Sequence, residues 1–311
     1  MSIQSAQELR TAYYQGHNQV QNPHRIHFDG TEGFDVYNPS APFDNEGEIF
    51  IAARVEKRDT EFSTVRFFRQ IEPDHFAPAY QDMYFESFQD PCVTRIHNEL
   101  VLGGVQVMTD PLHPSRIVSW HMVFYRGKNI PDLRFMGTGP SHMKDIRLCE
   151  LNDGRIGVFT RPQGVFGGRG RIGFTILESL DDFAWESIMN ARIYKDHFLP
   201  EEWGGVNDVQ QIGNGLLGIM GHIAFRDSQG LHYSSIAFVH NPITGEHSAP
   251  KIVAVRGAFP SGDSKRPDLQ DVLFTSGIRR HGNGIATLYS GVSDCECWYG
   301  EIPDPFMDKE I

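Results

Sequence analysis

Three aspartates, Asp90, Asp145 and Asp208, recur in this chain at intervals of roughly 50 to 70 residues, each immediately ahead of a β-rich run. Asn38 and Ser276 hold the corresponding places at the two ends of the series. Carboxylates that face one cavity can serve as a general acid and base, or can chelate a metal ion. A second set is cationic or adjustable: Arg54, Lys144, Arg161 and His222. Such groups hold anions or hydroxyls through charge-assisted hydrogen bonds. Each of these residues also has a plainer reading. An aspartate ahead of a strand can cap a turn or accept from neighbouring backbone, and a buried histidine can be a satisfied core residue. Trp203, just before Gly204-Gly205, can be a stacking platform or a core aromatic.

The elements that must position these residues read as repeats. A polar residue, a short apolar stretch, a turn rich in Asn, Asp or Gly and a β-rich run follow one another from Asn38 (NPSAPFDNEGEIFIAARV), Asp90 (DPCVTRIHNELVLGGVQV), Asp145 (DIRLCELNDGRIGVFTRP), Asp208 (DVQQIGNGLLGIMGHIAF) and Ser276 (SGIRRHGNGIATLYSGV). Repeats of this size, a few strands each, predict propeller blades. The expected fold is therefore all-β, a five-bladed β-propeller forming a single domain over 1–311 with an N-terminal extension over 1–25. In a propeller the equivalent ends of the innermost strands meet around one axis. Polar residues at that place would then line a single pocket.

Period-two alternation runs through Ile49–Ala53, Val65–Phe68, Leu100–Leu102 and Ile117–Tyr125, which read as strands. Asn98-Glu99, Asp153-Gly154, Asn214-Gly215 and Asn283-Gly284 sit between apolar runs as hairpin turns. Ala6, Leu9, Ala12 and Tyr13 carry a helical pattern that Asn22-Pro23 would stop, and a short helix is expected around Leu180 to Met189. Gly103-Gly104 and the small residues of Gly218–Phe225 suit inner strands that crowd an axis.

Composition bounds the function. The 311 residues carry a net charge of -12, which argues against nucleic-acid binding while leaving room for a locally basic pocket and an anionic small substrate. An apolar content of 40% supports a packed core. The start has no signal peptide and the chain no long apolar run, so a cytoplasmic protein without a membrane partner is expected. Cys92, Cys149, Cys295 and Cys297 are too few and scattered for a disulfide framework and read as free thiols. No His-Glu-x-x-His zinc motif and no Gly-x-Ser-x-Gly elbow occurs, and no metal site is expected. The stretch Gly164–Gly170 lacks the Lys-Ser or Lys-Thr of a phosphate loop and reads as a loop able to cover a pocket.

The order of these phrases resembles that of the five-bladed propeller glycosidases and phosphorylases, above all glycoside hydrolase family 130, and in particular its divergent branch, domain-of-unknown-function family 1861. Gln89-Asp90-Pro91-Cys92 matches a Glu-Asp-Pro-Arg phrase that opens the second blade in family 130. Lys144-Asp145 and Arg161-Pro162 match a Lys-Asp and an Arg-Pro of the third blade. His222 matches a histidine ending an inner strand of the fourth blade, and Arg54 an arginine of the first. The resemblance spans about residues 35 to 303. It implies that Asp90 is the general acid of an inverting reaction on a mannoside-like bond, with an oligosaccharide or glycoside as partner. It further implies, where the enzyme is a phosphorylase, that basic residues hold inorganic phosphate as co-substrate; no other cofactor is implied. Gln89 and Cys92 depart from the family phrase, and the missing arginine counts against phosphorolysis. A phosphorylase, a hydrolase and a sugar-binding propeller without turnover thus stay open, as does self-association.

Overall fold

The structure, a computed structural model, describes residues 3–16 and 19–309. Met1, Ser2, His17 and Asn18 of the N-terminal segment lie outside the described residues. Residues Ala6–Gln15 form a helix because Ser5 accepts from the Glu8 N–H while the Glu8 carboxylate accepts from the Ser5 N–H, a reciprocal cap. Its Ala6, Leu9 and Tyr13 face is buried with Phe198, Ile223 and Val255. Helix is otherwise confined to short turns, and among the described residues no helix is long and apolar enough to cross a membrane.

Among the described residues the strands form five sheets, four of four strands and one of seven. The first sheet is built on Asp35–Tyr37, Glu48–Glu56, Ser63–Glu72 and His75–Ala79. The second runs through Phe88–Ile96, Glu99–Asp110, His113–Gly127 and Arg134–Thr138, and the third through Arg147–Glu150, Ile156–Thr160, Gly173–Leu177 and Arg192–Ile193. The fourth holds Trp203–Gln211, Leu217–Arg226, Leu231–His240 and Lys251–Val255. The fifth takes Leu273–Arg280, Ile285–Val292 and Glu296–Pro303 in order, then Gln21–Arg25 from the start of the chain. Alternation explains the packing between them. Val101 and Phe124 of the second sheet meet Leu148 and Val158 of the third, and Phe159 of the third meets Ile219 and Phe238 of the fourth. Met220 of the fourth meets Leu288 of the fifth, and Phe67 of the first meets Leu100 of the second. Ile51 and Phe68 of the first sheet pack with Cys297 of the fifth. The arrangement is all-β and propeller-like.

Several local expectations shift. Asn22-Pro23 is not what stops the N-terminal helix, which ends at Gln15; it lies within a strand, where Pro23 is tolerated at a sheet edge beside a register shift between Gln21 and His24. The turn expected at Asn98-Glu99 falls one residue earlier. His97 and Asn98 have φ of 49° and 65°, which a two-residue hairpin between Ile96 and Glu99 requires. The helix expected over Leu180 to Met189 is split into Leu180–Asp182 and Trp185–Met189. Phe183 leaves helical geometry and is buried edge-on against Phe124, a gain that outweighs the propensity of a short helix.

The innermost strands share one irregularity. The pairing slips between Gly103 and Val105 opposite Asp90, between Val206 and Asp208, and between Thr275 and Gly277. Asn38, Asp90 and Asp145 have φ of 45°, 49° and 59°. A bulge or left-handed residue re-aims one side chain without ending the strand. Here it does so in sheet after sheet at or next to the polar residue of the repeat, falling on Asn207 in the fourth.

Candidate active site

The re-aimed residues fall into two buried groups beside a cavity. In the first, the Asn38 amide donates to Asp90 Oδ1 at 3.0 Å and reaches Asp294 Oδ1 at 3.5 Å. Asn38 lies so close to Gly291 that a Cβ there would fall 2.0 Å from its Oδ1, so only glycine fits. Arg54 donates to Asp90 Oδ1 at 3.4 Å and holds Glu56 Oε2 through Nε and Nη2 at 3.0 and 2.7 Å, with Glu61 Oε2 at 3.1 Å. Lys265 Nζ bridges Glu56, Glu61 and the Tyr37 hydroxyl. Two cations, Arg54 and Lys265, thus face the carboxyls of Glu56, Glu61, Asp90 and Asp294. Burial pushes the Asp294 carboxyl up and the charge of Asp90 adds to this, against the pull of Arg54.

In the second group, Arg161 Nη1 donates to Asp145 Oδ2 at 2.9 Å, and His222 Nε2 lies 3.8 Å from the same oxygen. His222 Nδ1 meets Asn207 Oδ1 at 2.7 Å. Gly205 permits this approach: a Cβ there would sit 3.0 Å from Asp145 Cβ and 3.1 Å from Arg161 Cδ. Burial acts to raise the Asp145 carboxyl, but the charges of Arg161, His222, Lys144 and Arg147 outweigh it and hold it at about 2. Burial brings the His222 imidazole down to about 3, the neighbouring cations Arg161, Lys144 and Arg147 adding to this against Asp145. His222 is neutral at neutral pH. Among the described residues, Arg161 Nε and Asn207 Nδ2 are buried donors without a partner.

Arg161 also belongs to the wall of a cavity of about 550 Å³. Gln89, Lys144 and Trp203 also line it, as do Arg169, Arg226 and Tyr233. The Trp203 indole donates to the Tyr233 hydroxyl at 2.9 Å, while the Arg169 guanidinium lies 4.4 Å above its ring. Among the described residues no carboxylate lines this cavity. An acidic protein thus contains a basic pocket. Lys144 connects the groups electrically, since its charge acts on both Asp145 and Asp294.

The sequence-derived set is therefore only partly gathered. Gln89, Lys144, Arg161 and Trp203 line the cavity; Asn38, Arg54 and Asp90 form one buried group, and Asp145 and His222 the other. His222 stands behind Arg161 and not on the cavity wall. Asp208 is displaced: its carboxylate accepts from Gln210 at 2.8 Å and from the Ile278 N–H at 3.0 Å, beside Cys92 and Arg147 in a separate, small recess. Asn207 takes the place expected for Asp208, because the bulge in the fourth sheet falls one residue earlier and a one-residue slip turns a side chain to the opposite face. Ser276 sits at the corresponding bulge, buried, with no partner for its hydroxyl among the described residues. The residues that sequence reasoning missed, Glu56, Glu61, Asp294, Lys265, Asn207, Arg169 and Arg226, stand outside the repeated phrase or one position from it. The 164–170 glycine stretch borders the cavity through its Arg169.

A family described as "Protein of unknown function (DUF1861)" matches residues 12–308. Among solved structures, the chain is similar to MPT-4, a mannose phosphorylase from Leishmania mexicana in complex with phosphate ion, at 36% identity over 97% of this chain and 94% of that chain, with a TM-score of 0.89. It is similar to MPT-1, a GDP-Man-dependent mannosyltransferase from Leishmania mexicana, at 32% identity over 97% and 95% of the two chains, with a TM-score of 0.88. A β-1,2-mannobiose phosphorylase from Listeria innocua shares the fold at 15% identity over 90% and 93%, with a TM-score of 0.65. No curated protein matches the chain.

Proposed function

We propose, for a chain that belongs to the DUF1861 family and is a divergent propeller relative of glycoside hydrolase family 130, that it is a mannoside phosphorylase working with inversion in a pocket on the axis of a single five-bladed domain. The seven-stranded sheet counts as the fifth blade in this reading. The observation that carries it is the basic cavity, walled by Lys144, Arg161, Arg169 and Arg226 together with Trp203 and Tyr233. Phosphate dianion is already nucleophilic and needs cations to hold it, each charge-assisted hydrogen bond contributing about 1.5–3 kcal/mol. Water needs a base. Asp145, held at about 2 by its cations, is a poor proton acceptor at neutral pH, and Asp208 faces a separate recess. The similarity to a mannose phosphorylase holding phosphate supports the same choice.

In the reaction so assigned, a phosphate oxygen attacks the anomeric carbon of the mannosyl unit while the bond to the leaving oxygen breaks. Asp90 gives that oxygen its proton, and the sugar 1-phosphate leaves with inverted configuration. Arg54 and Asn38 orient the Asp90 carboxyl through contacts at 3.4 and 3.0 Å. Trp203 and Tyr233 present ring surface to the sugar, and Gln89 an amide to its hydroxyls. A second reading, mannosyl transfer from a nucleotide sugar, is supported by the similarity to MPT-1.

The test is release of mannose 1-phosphate from β-mannosides across a phosphate titration. Turnover should rise with phosphate and saturate. Lys144→Ala should raise the KM for phosphate at least about tenfold, equivalent to about 1.4 kcal/mol, with a smaller effect on the sugar. A rate already maximal without phosphate would overturn phosphorolysis, and phosphate-independent release of GDP from GDP-mannose would establish the second reading.

A further inference from the structure

Away from the basic cavity, the segment after Arg192–Ile193 and the loop before Lys251–Val255 bring three ligand-type side chains together. Asp196, His197 and His247 each offer one donor atom, and these atoms lie within 4.8 Å of one another. His247 Nε2 and Asp196 Oδ1 are 3.3 Å apart. Donors about 2.0–2.1 Å from a tetrahedral metal stand about 3.3–3.4 Å from each other, so this edge has the length a zinc site needs.

An ordinary ion pair between Asp196 and His247 would account for that contact but not for His197. His197 is 1% exposed. Its Nε2 lies 3.2 Å from the Ser248 carbonyl, which accepts the ring N–H and leaves Nδ1 with a lone pair. Among the described residues that buried Nδ1 has no partner. A histidine that donates one ring nitrogen to a backbone carbonyl and leaves the other bare is oriented as metal-binding histidines are. Tyr194 stacks on the His247 ring at 4.1 Å and fixes its plane. The three side chains line a cavity of about 790 Å³ that also touches Leu9 of the N-terminal helix. An ion has a way in, and one coordination position stays open.

We propose that Asp196, His197 and His247 form a divalent metal site of the zinc class, with two imidazoles and one carboxylate as ligands and an open position toward that cavity. Imidazole with carboxylate suits zinc, whereas magnesium and calcium prefer all-oxygen sets. Bound metal would cross-link the 194–198 segment to the 247–250 loop beside the N-terminal helix. The sequence gives no zinc motif because the ligands are split between positions 196–197 and 247.

The experiment is calorimetric titration of the chelator-stripped, full-length protein with zinc chloride, paired with thermal melts. Saturable binding near one equivalent per chain is expected, with a melting temperature that rises with zinc. His247→Ala and Asp196→Asn should each weaken binding at least about tenfold. Asp196 is largely exposed, so its variant should keep the zinc-free melt of the parent and remain informative if His247→Ala folds poorly. His75→Ala, at the separate Glu72, Asp74 and His75 group, should leave the titration unchanged. Absence of saturable binding, or affinity retained in a folded Asp196→Asn protein, overturns the proposal, as does loss of binding in His75→Ala.

Discussion

At the scale of single residues, Asp90 differs from Asp145 in what surrounds it. Asp145 is clamped by Arg161 at 2.9 Å and kept ionised, whereas Asp90 receives an amide at 3.0 Å and a more distant guanidinium at 3.4 Å within a cluster of carboxyls. This contrast supports the proposal that Asp90 is the acid. Asp90→Asn should preserve the fold and the sugar affinity but lower turnover of unactivated mannosides about 10²-fold or more. Activated aryl mannosides, whose leaving oxygen needs little protonation, should lose far less. Equal losses on both substrates, measured as kcat, would move Asp90 to a binding or structural role. The repeated phrase made Asp90 and Asp145 visible in the sequence; the opposite environments of the two were not, since Arg54, Glu56, Lys265 and Asp294 come from other parts of the chain.

At the scale of elements, the bulge decides which residue of a strand faces the centre. In the fourth sheet it turns Asn207 onto His222 and sends Asp208 to the backbone of Ile278 in the fifth sheet. Asp208 therefore acts as a strap between neighbouring sheets. Asp208→Ala should leave KM and kcat within a few-fold of the parent but lower stability, because it removes the acceptor that holds the Ile278 N–H, worth about 1–3 kcal/mol when lost. Asn207→Ala should do the reverse in part, releasing His222 and through it Arg161, and should raise the phosphate KM. Steady-state kinetics and denaturant melts on the pair would separate the roles. A large activity loss in Asp208→Ala with unchanged stability would contradict this placement. Strands and most hairpins could be read from alternation and turn residues, but a bulge changes register by one residue without a distinctive sequence mark.

At the scale of the whole molecule, the buried imidazoles couple stability to pH. Burial holds His222 and His240 at about 3, well below the ordinary 6.5. The unfolded chain binds these protons at higher pH than the folded one, so stability is full above about 6.5 and is lost as pH falls toward 3. Each proton contributes a slope of about 1.4 kcal/mol per pH unit. His197, brought down to about 4 by burial, adds to this, whereas Asp208 and Asp294, pushed up by burial, act in the opposite sense and reduce the slope. The melting temperature should fall steadily from pH 6.5 to 4.5. A flat profile over that range would mean that neither imidazole is held neutral.

The all-β character, the repeat and most of the turns were legible in the amino-acid sequence, as was the recurrence of a polar residue near the head of each inner strand. Those are local properties: alternation, turn chemistry and spacing act within a few residues or within one repeat. Family membership was legible for the same reason, through Asp90-Pro91, Lys144-Asp145 and Arg161-Pro162 in order. Only the tertiary structure decided that Asn207 and not Asp208 meets His222, that Arg169 and Arg226 share a wall with Lys144, and that Asp196 and His197 meet His247. Contacts between sheets depend on register and on which faces oppose one another, and one residue of slip exchanges an entire face.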